Sequence, residues 1–446
     1  MPTTLDTDVR PEDRFVSAFK VNHGQTLNGT SASIAQQREH AIERFAQLGL
    51  PTKEQEAYKY TNLATVIDRP YTLPLSPEMP AVTEEDIAPF EIDDLNAHRL
   101  VLVNGRVHEG LSDIGDLPSG VIISSLDRAG QDHPDVVEEH YGAYVDFEDD
   151  AMAALNTAFV QDGAFIYVPS GTLLEKPVFV LHVHAGEEDL LIQPRHLFVV
   201  EDGAVAQIIE KQHSLTDART FTNTVTEMYA GRDANLQHSI TQHQGDHASQ
   251  VMTTAGYHRD NSTLTSNLFS LSGEVVRNNQ TLTPDGEHCE SNLYGLVLGK
   301  GDMHVDNHTL VDHVHADCAS NELYKHILND RSTAVFNGKV FVHRDSQRID
   351  AYQQNDSMVL TNEANIYTKP ELEIYADDVL CSHGATSGQI DREGLFYLRT
   401  RGLTENRARI LMLQAFAQEV LDEIRNDAVK AHITGVVRDR LARSFT

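Results

Sequence analysis

Three related segments recur in the second half of the chain: Ser266-Asn-Leu-Phe269, Ser291-Asn-Leu-Tyr294 and Ser320-Asn-Glu-Leu-Tyr324. They are spaced by 25 and 29 residues, and each places small polar residues before an apolar–aromatic step. A repeat of this period without helices is typical of a solenoid, in which each coil buries its core only against its neighbours. The repeats therefore predict a mainly β protein with a β-helix (solenoid) core. A β-sandwich is the alternative that the pattern leaves open.

Short strand signals extend on both sides of these repeats, from about residue 98 to 395. Two β runs within Val101–Val107 flank Asn104-Gly105, which is a strong hairpin signal. One helix interrupts this series of strands after Asp150, with apolar residues at helical spacing: Met152, Leu155 and Phe159. No amphipathic helix of useful length follows between about 165 and 400. This excludes a doubly wound α/β fold, because that fold needs crossover helices.

The two ends of the chain are helical in pattern, so the sequence predicts three regions. Residues 1–97 form an N-terminal helical and irregular region, and residues 98–395 form the β-helix core. Residues 396–446 form a C-terminal helical region, in which Thr404 is a good N-cap for an amphipathic helix. The predicted exposed faces of its helices carry a local basic excess: Arg407, Arg409, Arg438 and Arg440.

The composition indicates a soluble globular protein and narrows the range of partners. The chain has 35 basic and 67 acidic side chains, which give a formal net charge of −32. Such a negative surface repels phosphate backbones and anionic lipids, so we expect neither nucleic-acid nor membrane binding. No apolar run approaches the ~18 residues that a membrane-spanning helix needs. The first residues lack the blocks of a signal peptide, so we expect a cytoplasmic protein.

Cys381-Ser-His383 is the first candidate site. If this segment is a strand, residues i and i+2 share a face with α-carbons about 6.5 Å apart, and a thiolate and an imidazole could bind one metal. The alternative is a buried cysteine beside a hydrogen-bonded histidine in a turn, because Gly384 follows. The chain has only two other cysteines, Cys289 and Cys318, so an iron–sulfur site would need ligands from histidine, carboxylate or another chain.

The segment from His304 to Cys318 is the second candidate, with four histidines, three aspartates and a cysteine. These side chains would suit zinc or iron if they converged. The pattern favours solvated turns of a solenoid instead, in a protein with 23 histidines. The motifs of nucleotide hydrolysis, dinucleotide binding, zinc proteolysis and serine hydrolysis do not occur in the sequence.

A longer segment carries a resemblance to a known family. Residues 368–391 include Tyr375-Ala-Asp-Asp-Val-Leu-Cys-Ser-His-Gly-Ala-Thr386 and strongly resemble the C-terminal signature of the SufB/SufD family, the scaffold proteins of SUF iron–sulfur assembly. Tyr58-Lys-Tyr-Thr-Asn-Leu63 resembles the family's N-terminal element, with Tyr58 where tryptophan is usual. The resemblance extends from about residue 50 to 430 and includes further landmarks: Ala154–Phe159, Asp162-Gly163, Val168-Pro169, Pro194-Arg195, Tyr324-Lys325 and Phe336–Lys339.

The resemblance implies a fold and a function. The Cys-Ser-His-Gly-Ala-Thr motif is similar to that of SufD, and the family fold is a right-handed parallel β-helix with helical N- and C-terminal regions. A SufD-like chain is a non-enzymatic subunit that pairs with a SufB-like paralogue and docks a SufC-type ABC ATPase through the C-terminal region. A transient iron–sulfur cluster forms between SufB and SufD, with a SufD histidine that matches His383. Cys381 is then either a second ligand or a packed residue.

Two further expectations concern assembly and alternatives. The last coil of a solenoid exposes unpaired backbone groups, so we expect the isolated chain to form a homodimer through this edge. Other functions compatible with the residue pattern are a cupin-like mononuclear metalloenzyme, built on the histidines of His304–His315, and a β-helical carbohydrate-active enzyme. The latter would use Asp302, Asp306 and Asp312.

Overall fold

The computed structural model describes residues 3–4, 9–22, 32–75 and 78–443. The described α-helices are α1 (Pro11–Asn22), α2 (Ala32–Leu48), α3 (Ala64–Ile67), α4 (Glu84–Ile87), α5 (Leu126–Asp132), α6 (Pro134–His140), α7 (Ala151–Phe159), α8 (Arg392–Thr400), α9 (Glu405–Leu421) and α10 (Asp427–Arg443). The predicted end regions, 1–97 and 396–446, also contain residues that lie outside the described part of the chain.

The described strands are β1 (Thr3–Thr4), β2 (Thr72–Leu73), β3 (His98–Val103), β4 (Arg106–Val107), β5 (Ile122–Ser125), β6 (Ala164–Val168), β7 (Val178–His184), β8 (Leu190–Ile192), β9 (Arg195–Val200), β10 (Val205–Ser214), β11 (Thr220–Ala230), β12 (Asn235–Gln242), β13 (Ala248–His258), β14 (Thr263–Ser270), β15 (Val275–Pro284), β16 (Glu290–Gly299), β17 (His304–His313), β18 (Ala319–Leu328), β19 (Thr333–Val342), β20 (Ile349–Val359), β21 (Asn365–Ile374) and β22 (Val379–Gly388).

From β10 onward, each strand pairs in parallel with the strand two places further along the chain. Successive strands therefore alternate between two sheets. The first sheet has 12 described strands and ends at β21, and the second has ten and ends at β22. Alternating parallel pairing over many coils is a β-solenoid, so the predicted β-helix is confirmed and a β-sandwich of antiparallel sheets is excluded.

The repeats lie on β14, β16 and β18, in the second sheet. Ser291 pairs with Ser320, as the sequence spacing of 29 predicts. Ser266 pairs with Leu293 rather than with Ser291, because this coil has 27 residues and not 25. A shift of two residues keeps every side chain on the same face of the strand. The alternation of buried and exposed residues therefore survives a change in coil length.

The predicted hairpin and the interrupting helix are both present near the start of the solenoid. β3 and β4 pair antiparallel around Asn104 and Gly105, whose φ angles of 50° and 82° suit the turn. Helix α7 begins after Asp150, whose carboxylate accepts N–H groups at 2.8 and 3.1 Å. All nine residues of α7 are buried between helix α2 and the first sheet. The helix thus forms part of the core.

The C-terminal helices α9 and α10 pack against each other, and α9 lies on β16 and β18 of the second sheet. Thr404 caps α9, as predicted, by accepting the N–H of Arg407. Lys325 in β18 forms an ion pair with Glu419 of α9. The prediction that Arg440 lies on the exposed face is wrong, because its guanidinium donates to the carbonyl of Leu271 in the solenoid. None of the described helices is long and apolar enough to cross a membrane.

Candidate functional site

The last coil, made by β21 and β22, leaves one end of the solenoid uncovered. We call this coil the open end. Among the described strands, β22 pairs only with β20, and β21 only with β19, so both are edge strands. The residues of both strands are half-buried or exposed, whereas β20 still has a fully buried inward face. The exposure follows from the absence of a further coil to cover the inward face.

Cys381 and His383 lie on β22 and share its inward face. They are in register with Ala351 and Gln353 of β20, both of which are buried inside the solenoid. Outward-facing Gly384 lies against Gln354, which confirms the alternation. The segment is therefore a strand and not a turn. Both candidate ligands point toward the solenoid axis at its open end.

The Cys381 thiol is half-buried and packs in the same apolar cluster as Ala351 and Val379. Burial raises the pKa of this thiol, and the nearby Asp350 carboxylate raises it further, although the backbone at Ala351 opposes the shift. This environment favours the neutral thiol, whereas the thiolate is the form that binds metal.

The His383 side chain is exposed. Within the described chain no hydrogen bond or ion pair engages its ring, which leaves the ring free to accept an incoming group. A neutral imidazole is a good ligand for iron and zinc. His383 thus has the accessibility that Cys381 lacks.

Exposed apolar side chains are frequent in the part of the sequence that forms β20–β22 and the two helices after them. Seven of the 13 large apolar residues that are exposed in the described chain fall between positions 352 and 411: Tyr352, Tyr367, Tyr375, Leu380, Phe396, Tyr397 and Leu411. Leu380, at 75% exposure, lies on β22 between Val379 and Cys381. Exposed apolar side chains that lie close together on a surface are typical of interaction sites.

The other two cysteines meet inside the solenoid, which their separation in sequence does not indicate. Cys289 and Cys318 immediately precede the paired residues Glu290 and Ala319 on adjacent coils. Both thiols donate to the carbonyl of Gly286, at 3.4 and 3.1 Å. The Cys289 thiol, with help from His313, lowers the pKa of Cys318, while the pKa of Cys289 itself is raised by the same contact. Their shared place two residues before the repeat serine is the sequence signal for this contact.

The histidines of the second candidate segment do not converge. His304 and His308 flank Asp306 on the outer face of β17, where Asp306 also binds Arg277. His313 faces inward, 3.0 Å from Ser320, and His315 lies 3.0 Å from Asp285 on the surface. The prediction of solvated turns is also wrong in part, since residues 304–313 form a strand.

A further buried cluster was missed by the sequence analysis. The Glu210 carboxylate lies 2.7 Å from His182 Nε2 and 2.6 Å from His238 Nε2, and 3.9 Å from His196 Nε2. Burial opposes ionisation of Glu210, but hydrogen bonds from His182 and His238 outweigh it and hold its pKa well below the usual range. The 28-residue separation of His182, Glu210 and His238, about one coil, is the signal that could have revealed them.

This cluster is better suited to hydrogen bonding than to metal binding. The Ala164 N–H donates to His196 Nδ1 at 2.9 Å, so the neutral ring carries its proton on Nε2. Nε2 then has no lone pair to offer an ion, although it faces Glu210. The arrangement is a carboxylate surrounded by imidazole N–H groups in the solenoid core.

Comparison with known proteins agrees with the sequence resemblance. Residues 9–180 match the family profile of the SufBD protein N-terminal region. Residues 182–416 match the profile of the SUF system FeS cluster assembly SufBD core domain. The chain is 31% identical over 408 residues to an iron–sulfur cluster assembly SufBD family protein of Synechocystis sp., covering 89% of each chain.

Two proteins named SufD are also similar over nearly their whole length. The chain is 30% identical over 426 residues to the iron–sulfur cluster assembly protein SufD of Escherichia coli, covering 94% of this chain and 96% of that protein. It is 24% identical over 452 residues to SufD of Bacillus subtilis, covering 98% and 100%. With both family profiles matched in order along a β-solenoid, the chain belongs to the SufB/SufD family of iron–sulfur cluster assembly proteins.

Proposed function

We propose that this chain is the SufD-type scaffold subunit of a SufBCD-type complex and is not itself an enzyme. The observation that carries the proposal is the position of His383, exposed and without a hydrogen-bond partner in the described chain, on the edge strand at the open end. An iron–sulfur cluster is the substrate held there for a time and then released. A neutral imidazole suits this task, because it binds iron less firmly than a thiolate does.

A SufB-like partner completes the site. Cys381 is half-buried with a raised thiol pKa, and Cys289 and Cys318 are buried in the core. A nascent cluster needs thiolate ligands, and this chain offers few accessible thiols, so a second chain supplies them. The unpaired edges of β21 and β22 and the exposed Leu380 support this interface at the open end. Without the partner, the same edge pairs with a second copy and gives a homodimer.

The SufC-type ATPase docks on the C-terminal helical region. Helices α9 and α10 already bury their apolar faces against the second sheet, so their outer faces remain available. Arg407 and Arg438 are exposed on these faces and can guide a partner by charge. Arg440 is not part of this surface, since it anchors α10 to the solenoid. We place the complex in the cytoplasm, where ATP is available.

The two alternative functions lose their support. A cupin-like metal centre needs His304, His308 and His313 to meet, and they lie on opposite faces of β17. A carbohydrate-active site needs free carboxylates. Asp302 is paired with Arg331, Asp306 with Arg277, and Asp312 with His343.

Substitution of His383 tests the proposal. The His383→Ala variant, co-expressed with the neighbouring SufB-like and SufC-type chains, should assemble the complex but form clusters more slowly under anaerobic conditions. Visible absorption and iron and sulfide analysis measure the clusters, and Ser382→Ala is the matched control on the outward face. Cys381→Ser should have a milder effect. Cluster formation at the wild-type rate by the His383→Ala complex would refute the ligand role.

A further inference from the structure

A column of inward-facing side chains leads from His383 into the solenoid. His383 of β22 is in register with Gln353 of β20, which is in register with Glu322 of β18. Leu293 of β16 occupies the next position. Gln353, Glu322 and Leu293 are almost completely buried. The only polar groups in direct line below His383 are therefore the amide of Gln353 and the carboxylate of Glu322.

Contacts with the preceding coil fix the orientation of the Gln353 amide. Its Nε2 group donates to Glu322 Oε2 at 2.6 Å, and the other carboxylate oxygen accepts from the Thr309 hydroxyl. Across the solenoid, Gly338 makes room for this amide, because a Cβ at that position would collide with Gln353 Nε2. Burial raises the pKa of Glu322 to about 7, against hydrogen bonds from Thr309 and Gln353. An amide that donates to the ionised form of Glu322 cannot turn over without bringing two oxygens together. Its carbonyl Oε1 is consequently held away from Glu322.

The Gln353 carbonyl lacks a donor of its own. Oε1 is buried and no described group donates to it. A buried acceptor without a hydrogen bond is unfavourable, and few occur in native proteins. The coil beyond Gln353 is the last one, and His383 is the residue in register with it. The imidazole ring N–H is the donor best placed to satisfy this carbonyl.

We propose that Gln353 is a positioning residue for His383: the exposed ring, which makes no hydrogen bond in the described structure, turns inward to donate one ring N–H to Gln353 Oε1, and the lone pair of the other ring nitrogen then points outward at the open end. This inference rests on the proposed ligand role of His383. Histidines that bind metals commonly donate their second nitrogen to a carbonyl or carboxylate, which sets the tautomer and the ring orientation. Glu322 and Thr309 act one step further back, by orienting the amide.

The test is the tautomer of His383 in the full-length chain. Long-range ¹H–¹⁵N spectra of protein labelled with ¹⁵N-histidine distinguish the two tautomers, and His383→Gln assigns the signals by their loss. We expect one dominant tautomer in the wild type. Gln353→Met keeps the side-chain length but removes the acceptor, so the tautomer ratio should change by about two- to tenfold, the range of one ordinary hydrogen bond.

Two further variants keep the test decisive. Gln354→Met is the matched control on the outward face and should leave the ratio unchanged. If Gln353→Met does not fold because Glu322 loses its donor, the double variant Glu322→Leu with Gln353→Leu removes both polar groups and extends the apolar column of Leu293. An unchanged ratio in whichever of these variants folds overturns the inference.

Cluster formation in the co-expressed complex separates this inference from the proposed function. If both hold, Gln353→Met slows cluster formation by about tenfold, as is usual when a partner of a metal-binding histidine is lost. If the tautomer ratio changes while His383→Ala forms clusters normally, positioning stands and the ligand role fails. If His383→Ala is defective while the Gln353 variants keep the wild-type tautomer, the ligand role stands and positioning fails.

Discussion

The two ends of the solenoid are built from the same two-sheet coil but finish differently. At the N-terminal end the sheets finish on short antiparallel strands: β1 and β4 have two residues each and β5 has four. Helices α5–α7 lie against this end, and β7 and β9 are buried along their full length. At the open end both sheets finish on ten-residue parallel strands with exposed residues.

This difference distinguishes an end that is protected against strand pairing from one that is not. Very short antiparallel strands and covering helices are the usual means of preventing unwanted strand pairing. The open end has neither, and it also carries His383 and the exposed Leu380. A solenoid needs capping only where no partner follows. The contrast supports the proposal that partners associate at the open end, and it predicts that stability is concentrated at the covered end.

The largest effect is expected from the ion pair beneath the covering helices. Arg195 and Glu227 are completely buried and joined at 2.6 Å, and Glu227 also accepts backbone N–H groups from Gly142 and Tyr144. Arg195→Met leaves an unpaired buried carboxylate, so the free energy of unfolding should fall by about 3–5 kcal/mol. Urea unfolding measures it. Arg331→Met, in an exposed pair with Asp302, is the control and should change it by less than about 0.5 kcal/mol.

A leucine at each end compares the two regions directly. Leu155 in α7 is fully buried, whereas Leu380 on β22 is 75% exposed. Leu155→Ala should cost about 2–5 kcal/mol of unfolding free energy, because it leaves a cavity. Leu380→Ala should cost less than about 0.5 kcal/mol and instead weaken association at the open end. Equal losses of stability in the two variants would contradict the contrast.

Acid should destabilise the folded protein through histidines that are buried inside the coils. Burial lowers the pKa of His184, His258 and His326 to about 3 each. Unfolded histidine titrates near ~6.5, so below that pH the unfolded state binds protons that the folded state does not. Each ring contributes stability that is present above pH ~6.5 and lost by about 1.4 kcal/mol per pH unit as the pH falls toward 3. The His326→Gln variant removes one of these rings, so its unfolding free energy should fall less steeply with falling pH than that of the wild type. Urea unfolding between pH 6.5 and 5 measures the difference.

The smallest effect on stability, with a large effect on assembly, is expected at the free edge. Asp350 donates its N–H to the carbonyl of Cys318, immediately before β18, and the alternation along paired strands places the Val379 N–H at the outer edge of β22. Val379→Pro removes that donor and should abolish homodimerisation and pairing with a SufB-like chain. The unfolding free energy should fall by no more than about 1 kcal/mol. Light scattering measures the dimer, and Val379→Ala is the control. A monomeric wild type would contradict edge pairing.

Much of the fold could be predicted because its signals are local. Asn104-Gly105 specifies a hairpin, and Asp150 together with Met152, Leu155 and Phe159 specifies α7. The repeated Ser-Asn step predicts the pairing of β16 with β18. The motif containing Cys381 and His383 was found in the same way, since residues i and i+2 of any strand share a face. Each of these features depends on neighbours a few residues apart.

The remaining features depend on how coils of unequal length stack. The register joins residues 27 apart on β14 and β16, 29 apart on β16 and β18, and 31 apart on β18 and β20. These offsets decide that Cys289 meets Cys318 and that Gln353 lies beneath His383. No local sequence pattern encodes the length of the segment that connects one strand to the next. The tertiary structure was therefore needed to establish these contacts, although the repeat serines gave a sequence signal for the cysteine contact.

The sequence by itself determined the β-solenoid class, the helical ends and the two residues of the candidate site. The tertiary structure decided which residues are accessible. His383 has the inward position that buries Gln353 one coil earlier, yet it is exposed because no coil follows. Arg440 has the sequence context of a surface residue, yet the solenoid covers it. Exposure depends on which parts of the chain lie above a residue, and that is a property of the assembled coils rather than of the neighbouring sequence.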